Sequence, residues 1–146
     1  MAVVSIPVTL MVAGGCAALN LWLQVRVGRM RQREKVSIGD GGSEPLIRRM
    51  RAQANFVENA PFILALVLAI ELSCGTSAWL WAAGALFLVG RVLHAFGMDG
   101  VKYCRMIGTA ISMGLLLALG VWALAAAYRE CGSQHAIETE AVPPSA

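Results

Sequence analysis

MIGTAISMGLLLALGVWALAAAY, residues 106–128, runs 23 residues without a charged side chain. At a rise of about 1.5 Å per residue, a helix needs about 20 predominantly apolar residues to cross the hydrocarbon core of a bilayer. An isolated strand would leave backbone N–H and C=O groups unpaired in lipid, so the run predicts a transmembrane helix. Three further stretches read the same way. Residues 1–25 are uncharged, residues 56–72 are apolar apart from Glu58, Asn59 and Glu71, and residues 78–96 are interrupted only by Arg91 and His94. Apolar residues make up 58% of the chain and charged residues 14%, against about 25% charged in a soluble domain. A globule of 146 residues cannot enclose that much apolar surface. The expected fold is all-α, an integral membrane four-helix bundle. It forms one domain over residues 1–130, with spans near 3–27, 46–72, 78–97 and 104–128. The polar tail, residues 131–146, ends in Pro143-Pro144-Ser145-Ala146 and is expected to be disordered.

The basic residues give an orientation. The first connection carries Arg26, Arg29, Arg31, Arg33, Lys35, Arg48, Arg49 and Arg51, and the end of the third span and the connection after it carry Arg91, Lys102 and Arg105. Only Arg129 falls on the other side, so eleven of the twelve basic residues mark one face as cytoplasmic. An even number of spans then puts both termini on the non-cytoplasmic side. The first span has no basic leader and is longer than a signal core, so it reads as a span, although Ala13-Gly14-Gly15-Cys16 faintly resembles a lipoprotein cleavage site. Cys74 and Cys131 both fall at the outer surface, as free thiols or as a disulfide.

Residues 26–35 extend the first span as helix. Residues 37–45, Ser-Ile-Gly-Asp-Gly-Gly-Ser-Glu-Pro, are a loop, and Leu46 opens the second helix. Pro61 lies inside that helix and is expected to kink it. Gly108, Ser112, Gly114, Ala118 and Gly120 allow close helix approach along the fourth span, either within the subunit or between subunits.

Polar residues in membrane helices usually face a protein interior or a cavity. Arg48, Arg51, Asn55 and Glu58 are spaced three, four and three apart and form one narrow stripe on the second helix. Two readings stand. Arg51 and Glu58 pair with each other or snorkel to the interface, or the stripe binds a zwitterion through a guanidinium, an amide and a carboxylate. Arg91, His94 and Met98 share a face of the third helix, and Arg105, Thr109 and Ser112 share one on the fourth. Arg105 is either an interfacial anchor or an anion holder; an arginine beside a thiol favours the thiolate. His94 reads as a hydrogen-bonding residue. No His or Cys falls at metal-ligand spacing, so no metal is expected, and Gly39-Asp40-Gly41-Gly42 lacks the strand and lysine of a phosphate loop. The basic connection suits anionic lipid, and with no stacking platform beside it nucleic acid is not expected.

Arg51-Ala52-Gln53-Ala54-Asn55-Phe56-Val57-Glu58-Asn59-Ala60-Pro61 resembles the signature of the MAPEG family, the membrane-associated proteins in eicosanoid and glutathione metabolism. Gly90-Arg91-Val92-Leu93-His94-Ala95-Phe96-Gly97 is similar to that family's end of helix three. The resemblance covers about residues 5–128 and is nearest the bacterial branch, because several tyrosines of the animal members are absent. It implies a homotrimer, in the bacterial inner membrane, that binds glutathione at the cytoplasmic half of each subunit interface. By motif position it assigns Arg51, Asn55 and Glu58 to glutathione, with Gln53 and His94 beside them. It places Arg31 near a neighbouring subunit's site and gives Arg105 the role of activating the thiol. His94 and Met98 stand where some animal members carry tyrosines, which points away from the eicosanoid-synthesising activities.

The implied activity is a membrane-bound glutathione transferase. Glutathione is the co-substrate, and its thiolate attacks a lipophilic electrophile arriving from the membrane lipid. Glutathione peroxidase activity would use the same site. The alternative is a non-catalytic membrane protein that binds lipid or glutathione and presents it to a partner.

Overall fold

The computed structural model describes residues 5–140, with side chains through Arg129. Among these residues there are four α-helices and no strand: α1 (Pro7–Glu34), α2 (Glu44–Cys74), α3 (Ala78–Met98) and α4 (Cys104–Glu140). Each contains a segment long and apolar enough to cross a membrane, that of α4 being Cys104–Arg129. The all-α, four-helix architecture expected from the sequence is thus what the chain adopts. Several boundaries differ in detail. α2 begins at Glu44, ahead of Leu46, with Pro45 in its first turn, where a missing N–H leaves no bond unmade. Pro61 lies inside the helix, as expected, where the ring deprives the Val57 carbonyl of its partner. The backbone of α4 stays helical to Glu140, into the segment expected to be disordered; no proline interrupts it before Pro143. Residues 141–146 and the Cys131 side chain, with its possible pairing to Cys74, lie outside the described residues.

α1 packs along α2 and α3 along α4, and contacts of α3 with α1 and α2 and of α4 with α2 join the two pairs. The core is built from positions three and four apart, such as Val8, Val12 and Cys16 on α1 and Phe56, Ala60, Ile63 and Val67 on α2. Leu80 and Phe87 of α3 and Leu119 of α4 join it. In lipid such contacts stabilise through close packing rather than through release of water. The opposite faces, including Leu10, Phe62, Leu117 and Leu124, are exposed, as a bilayer solvent allows.

Small residues decide how closely α3 meets α4. A Cβ on Gly97 would overlap the backbone of Arg105, and one on Gly108 would overlap the carbonyl of Gly90 and the amide of His94. Ser112, also buried, returns its hydroxyl to the Gly108 carbonyl at 2.9 Å. Gly114 and Gly120 meet nothing within 4 Å, so within one subunit only the Gly108–Ser112 part of the small-residue run is used for packing. Gly108→Val should therefore force α3 and α4 apart, costing about 1–3 kcal/mol or more. Gly114→Val should leave the packing of α3 on α4 intact, and thermal unfolding of the two variants in detergent would show the contrast.

The two ends of the bundle are tied by polar contacts. At one end α1 starts without a side-chain cap of its own. Glu71 of α2, 2% exposed, reaches across to supply it. At the other, Asp99 at the end of α3 pairs with Arg26 of α1 and, at 3.4 Å, with Arg49 of α2. Arg26 also lies over the Trp22 ring at 4.6 Å. This clasp ties α1 and α2 to the end of α3.

Candidate functional site

At the basic end, α2, α3 and α4 line an open cavity of about 410 Å³. Arg51, Ala54, Asn55 and Glu58 line it from α2, His94 and Met98 from α3, and Arg105 and Thr109 from α4. On each helix the contributing positions are three or four apart, so each helix turns one face to the same space. The turn between α3 and α4 makes this possible. Gly100 has φ 106° and Tyr103 φ 63°, and the contact of Gly97 with the Arg105 backbone sets the first turn of α4 directly against the end of α3.

Of the residues singled out in the sequence, Arg51, Asn55, Glu58, His94 and Arg105 meet in this cavity. Arg48, the first member of the stripe, does not. It turns back one helical turn to Glu44, at 2.7 Å. Together with Arg49, Met30, Met98 and Asp99 it borders a second cavity of about 390 Å³. Gln53 is half-buried on another face of α2. Arg31 donates to the Gly39 carbonyl at 2.8 Å and lies 3.6 Å from the Met50 sulfur. Within one subunit it fastens the loop after α1 and takes no part in the cavity.

The charges of the cavity are open. Among the described residues the ion pairs are Arg26–Asp99, Arg49–Asp99 and Arg48–Glu44. Arg51, Glu58 and Arg105 form none, so the Arg51–Glu58 pair that the sequence allowed is not made. Arg51 and Glu58 lie seven residues apart on one helix, about 10 Å along its axis. The cavity thus offers a cation and an anion two turns apart, an amide between them, and a second guanidinium facing them from α4. Such a set is complementary to a small molecule carrying both charges.

Asn55 is held from beneath by a residue whose part the sequence did not reveal. Nη1 of Arg91 donates to Asn55 Oδ1 at 2.9 Å and to the Asn55 carbonyl at 3.3 Å. The same carbonyl accepts from Asn59 Nδ2 at 2.7 Å. Arg91 shares a helix face with His94 and Met98, which line the cavity, yet it is itself buried at 3% exposure. Periodicity could place it on that face, but not identify what it touches.

Comparison with known proteins gives a family match over most of the chain. The model of the MAPEG family matches residues 9–125. The chain is also similar to the protein called inner membrane protein YecN from Escherichia coli K12, with 33% identity over 82 residues, 56% of this chain and 62% of that protein. The protein of the same name from Escherichia coli CFT073 gives the same figures. The chain therefore spans about three fifths of the length of the curated relatives it matches.

Proposed function

Because the chain belongs to the MAPEG family, we propose that it is a multi-pass inner-membrane glutathione transferase. Its basic end faces the cytoplasm, and glutathione binds in the cavity of α2, α3 and α4. One observation carries this reading: Arg51, Asn55, Glu58 and Arg105 line a single cavity, and its charged members have no ion-pair partners among the described residues. Glutathione is a tripeptide with two carboxylates, one ammonium group and one thiol. An extended tripeptide spans about 10 Å, comparable to the axial separation of Arg51 and Glu58. Arg51 binds a carboxylate, Glu58 the ammonium group and Asn55 a polar group between them. Arg105 faces the sulfur. It favours the thiolate by opposing its charge, and the thiolate is the nucleophile.

The second substrate is a lipophilic electrophile that reaches the sulfur from the bilayer. A carbon–sulfur bond forms as the leaving group departs with its electron pair. Holding both reactants in one place supplies part of the acceleration. The family resemblance supports a homotrimer, in which Arg31 serves a neighbouring subunit's site.

Equilibrium binding of glutathione to the detergent-purified protein tests this reading. Saturable binding is expected, and Arg51→Ala and Glu58→Ala should each weaken it about tenfold or more, as loss of a charge-assisted hydrogen bond does, with the protein still folded. A folded wild type that binds no glutathione would refute the transferase and leave the non-catalytic, lipid-binding alternative.

A further inference from the structure

Arg91 is an expensive residue in its position. It is 3% exposed, and its Nε and Nη2 are buried without a hydrogen-bond partner among the described residues. It also forms no ion pair there. Apart from the Phe87 ring, 5.8 Å from its guanidinium carbon, its specific partner is Asn55. Burying a charged group with unmet donors opposes stability, and apolar side chains of similar size often replace such groups without loss. Packing alone would be served as well by methionine.

What Arg91 does is orient an amide. Arginine carries donors and no acceptor. The Asn55 atom that faces Nη1 at 2.9 Å must therefore be the oxygen, because the reverse orientation would set N–H against N–H. With Oδ1 turned to Arg91, the Asn55 amide presents Nδ2 to the cavity it lines. Asn55 Nδ2 makes no hydrogen bond among the described residues and is not among the buried unpartnered atoms.

We propose that Arg91 is a positioning residue that fixes Asn55 as a hydrogen-bond donor to the cavity. The bound molecule must then place an acceptor oxygen, a carbonyl or carboxylate, against Asn55. This rests on the reading of the cavity as a glutathione site, and it assigns to Asn55 one of the acceptor oxygens of the tripeptide.

The test measures glutathione affinity and thermal unfolding side by side on the full-length protein in detergent. Arg91→Met should unfold at or above the wild-type temperature yet bind glutathione about tenfold more weakly. Arg91→Lys, which restores a donor to Oδ1, should recover part of the affinity. Asn55→Asp can still accept from Arg91 but turns an acceptor to the cavity, so it should bind more weakly than Asn55→Ala. An Arg91→Met protein that is less stable and binds glutathione normally would show a purely structural role and overturn the proposal. If Arg91→Met does not fold, the two Asn55 variants decide, and Asn55→Asp binding as tightly as wild type overturns it. A folded wild type without glutathione binding removes the underlying reading as well, an outcome separate from the variants failing against a wild type that binds.

Discussion

Glu71→Ala is expected to destabilise the fold by about 2–4 kcal/mol while leaving the cavity at the opposite end intact. The reason lies in the start of α1. The first four N–H groups of a helix have no partner inside it. In α1, Pro7 has no N–H, and Leu10 donates to the Ile6 carbonyl at 3.1 Å. The two that remain, Val8 and Thr9, donate to Glu71 at 3.0 and 2.8 Å. The hydroxyls of Thr9 and Thr76 add bonds of 2.7 and 2.8 Å to the same carboxylate. A carboxylate at a helix N-terminus also opposes the positive end of the helix dipole. Alanine would leave both N–H groups, on the buried residues Val8 and Thr9, without their acceptor. Glutamine would keep one acceptor oxygen for Thr9 and set an NH₂ group against the Val8 N–H, so it should fall between alanine and wild type. Thermal unfolding followed by circular dichroism in a single detergent would rank the three. Identical unfolding of Glu71→Ala and wild type would show that the cap is energetically idle.

Glu71 also marks where sequence reading ended. Its position in an apolar run made it conspicuous, but its partners lie 62 and 63 residues away, and periodicity carries no information over that distance. Arg26 and Arg49 pose the same problem. In the sequence they are part of a basic connection that orients the chain, whereas in the fold both pair with Asp99 and bind three helices together. What was legible followed from local rules. Four apolar runs gave four helices, and spacings of three and four placed Arg51, Asn55 and Glu58 on one face. Arg48, on the same stripe, is drawn off by Glu44 one turn earlier, a local pairing that a helix opening at Leu46 left out of reach, because α2 in fact starts at Glu44. Gln53 and Arg31 entered through family resemblance and not through periodicity, and neither reaches the cavity of a single subunit. The small residues of α4 divide likewise. Gly108 is covered by α3 and Ser112 is buried, whereas Gly114 and Gly120 meet nothing within 4 Å, a distinction set by how α4 is turned against its neighbours.

Arg105→Ala is expected to retain glutathione and lose most of the thiolate, with turnover falling by about a hundredfold or more, as removal of one charge-stabilising group does elsewhere. Arg105 is exposed on the first turn of α4 and lines the cavity opposite the α2 stripe. Its guanidinium forms no ion pair among the described residues. Nothing in the fold therefore depends on its charge, and folding and binding should survive its loss. The backbone at this position, which packs against Gly97, is unchanged by the substitution. A cation beside the sulfur lowers the pKa of the thiol from a free value of about 8.5, and the thiolate is then present at neutral pH. Without Arg105 the thiol returns towards its free value, so the deficit should be greatest below pH of about 8 and shrink above about 9, where the thiol ionises unaided. Arg105→Lys keeps a cation and should lie between the two. Ultraviolet difference spectra of the glutathione complex, recorded across that pH range, read the thiolate directly. A mutant complex with the wild-type thiolate signal at neutral pH would remove Arg105 from the chemistry and reduce it to an interfacial anchor.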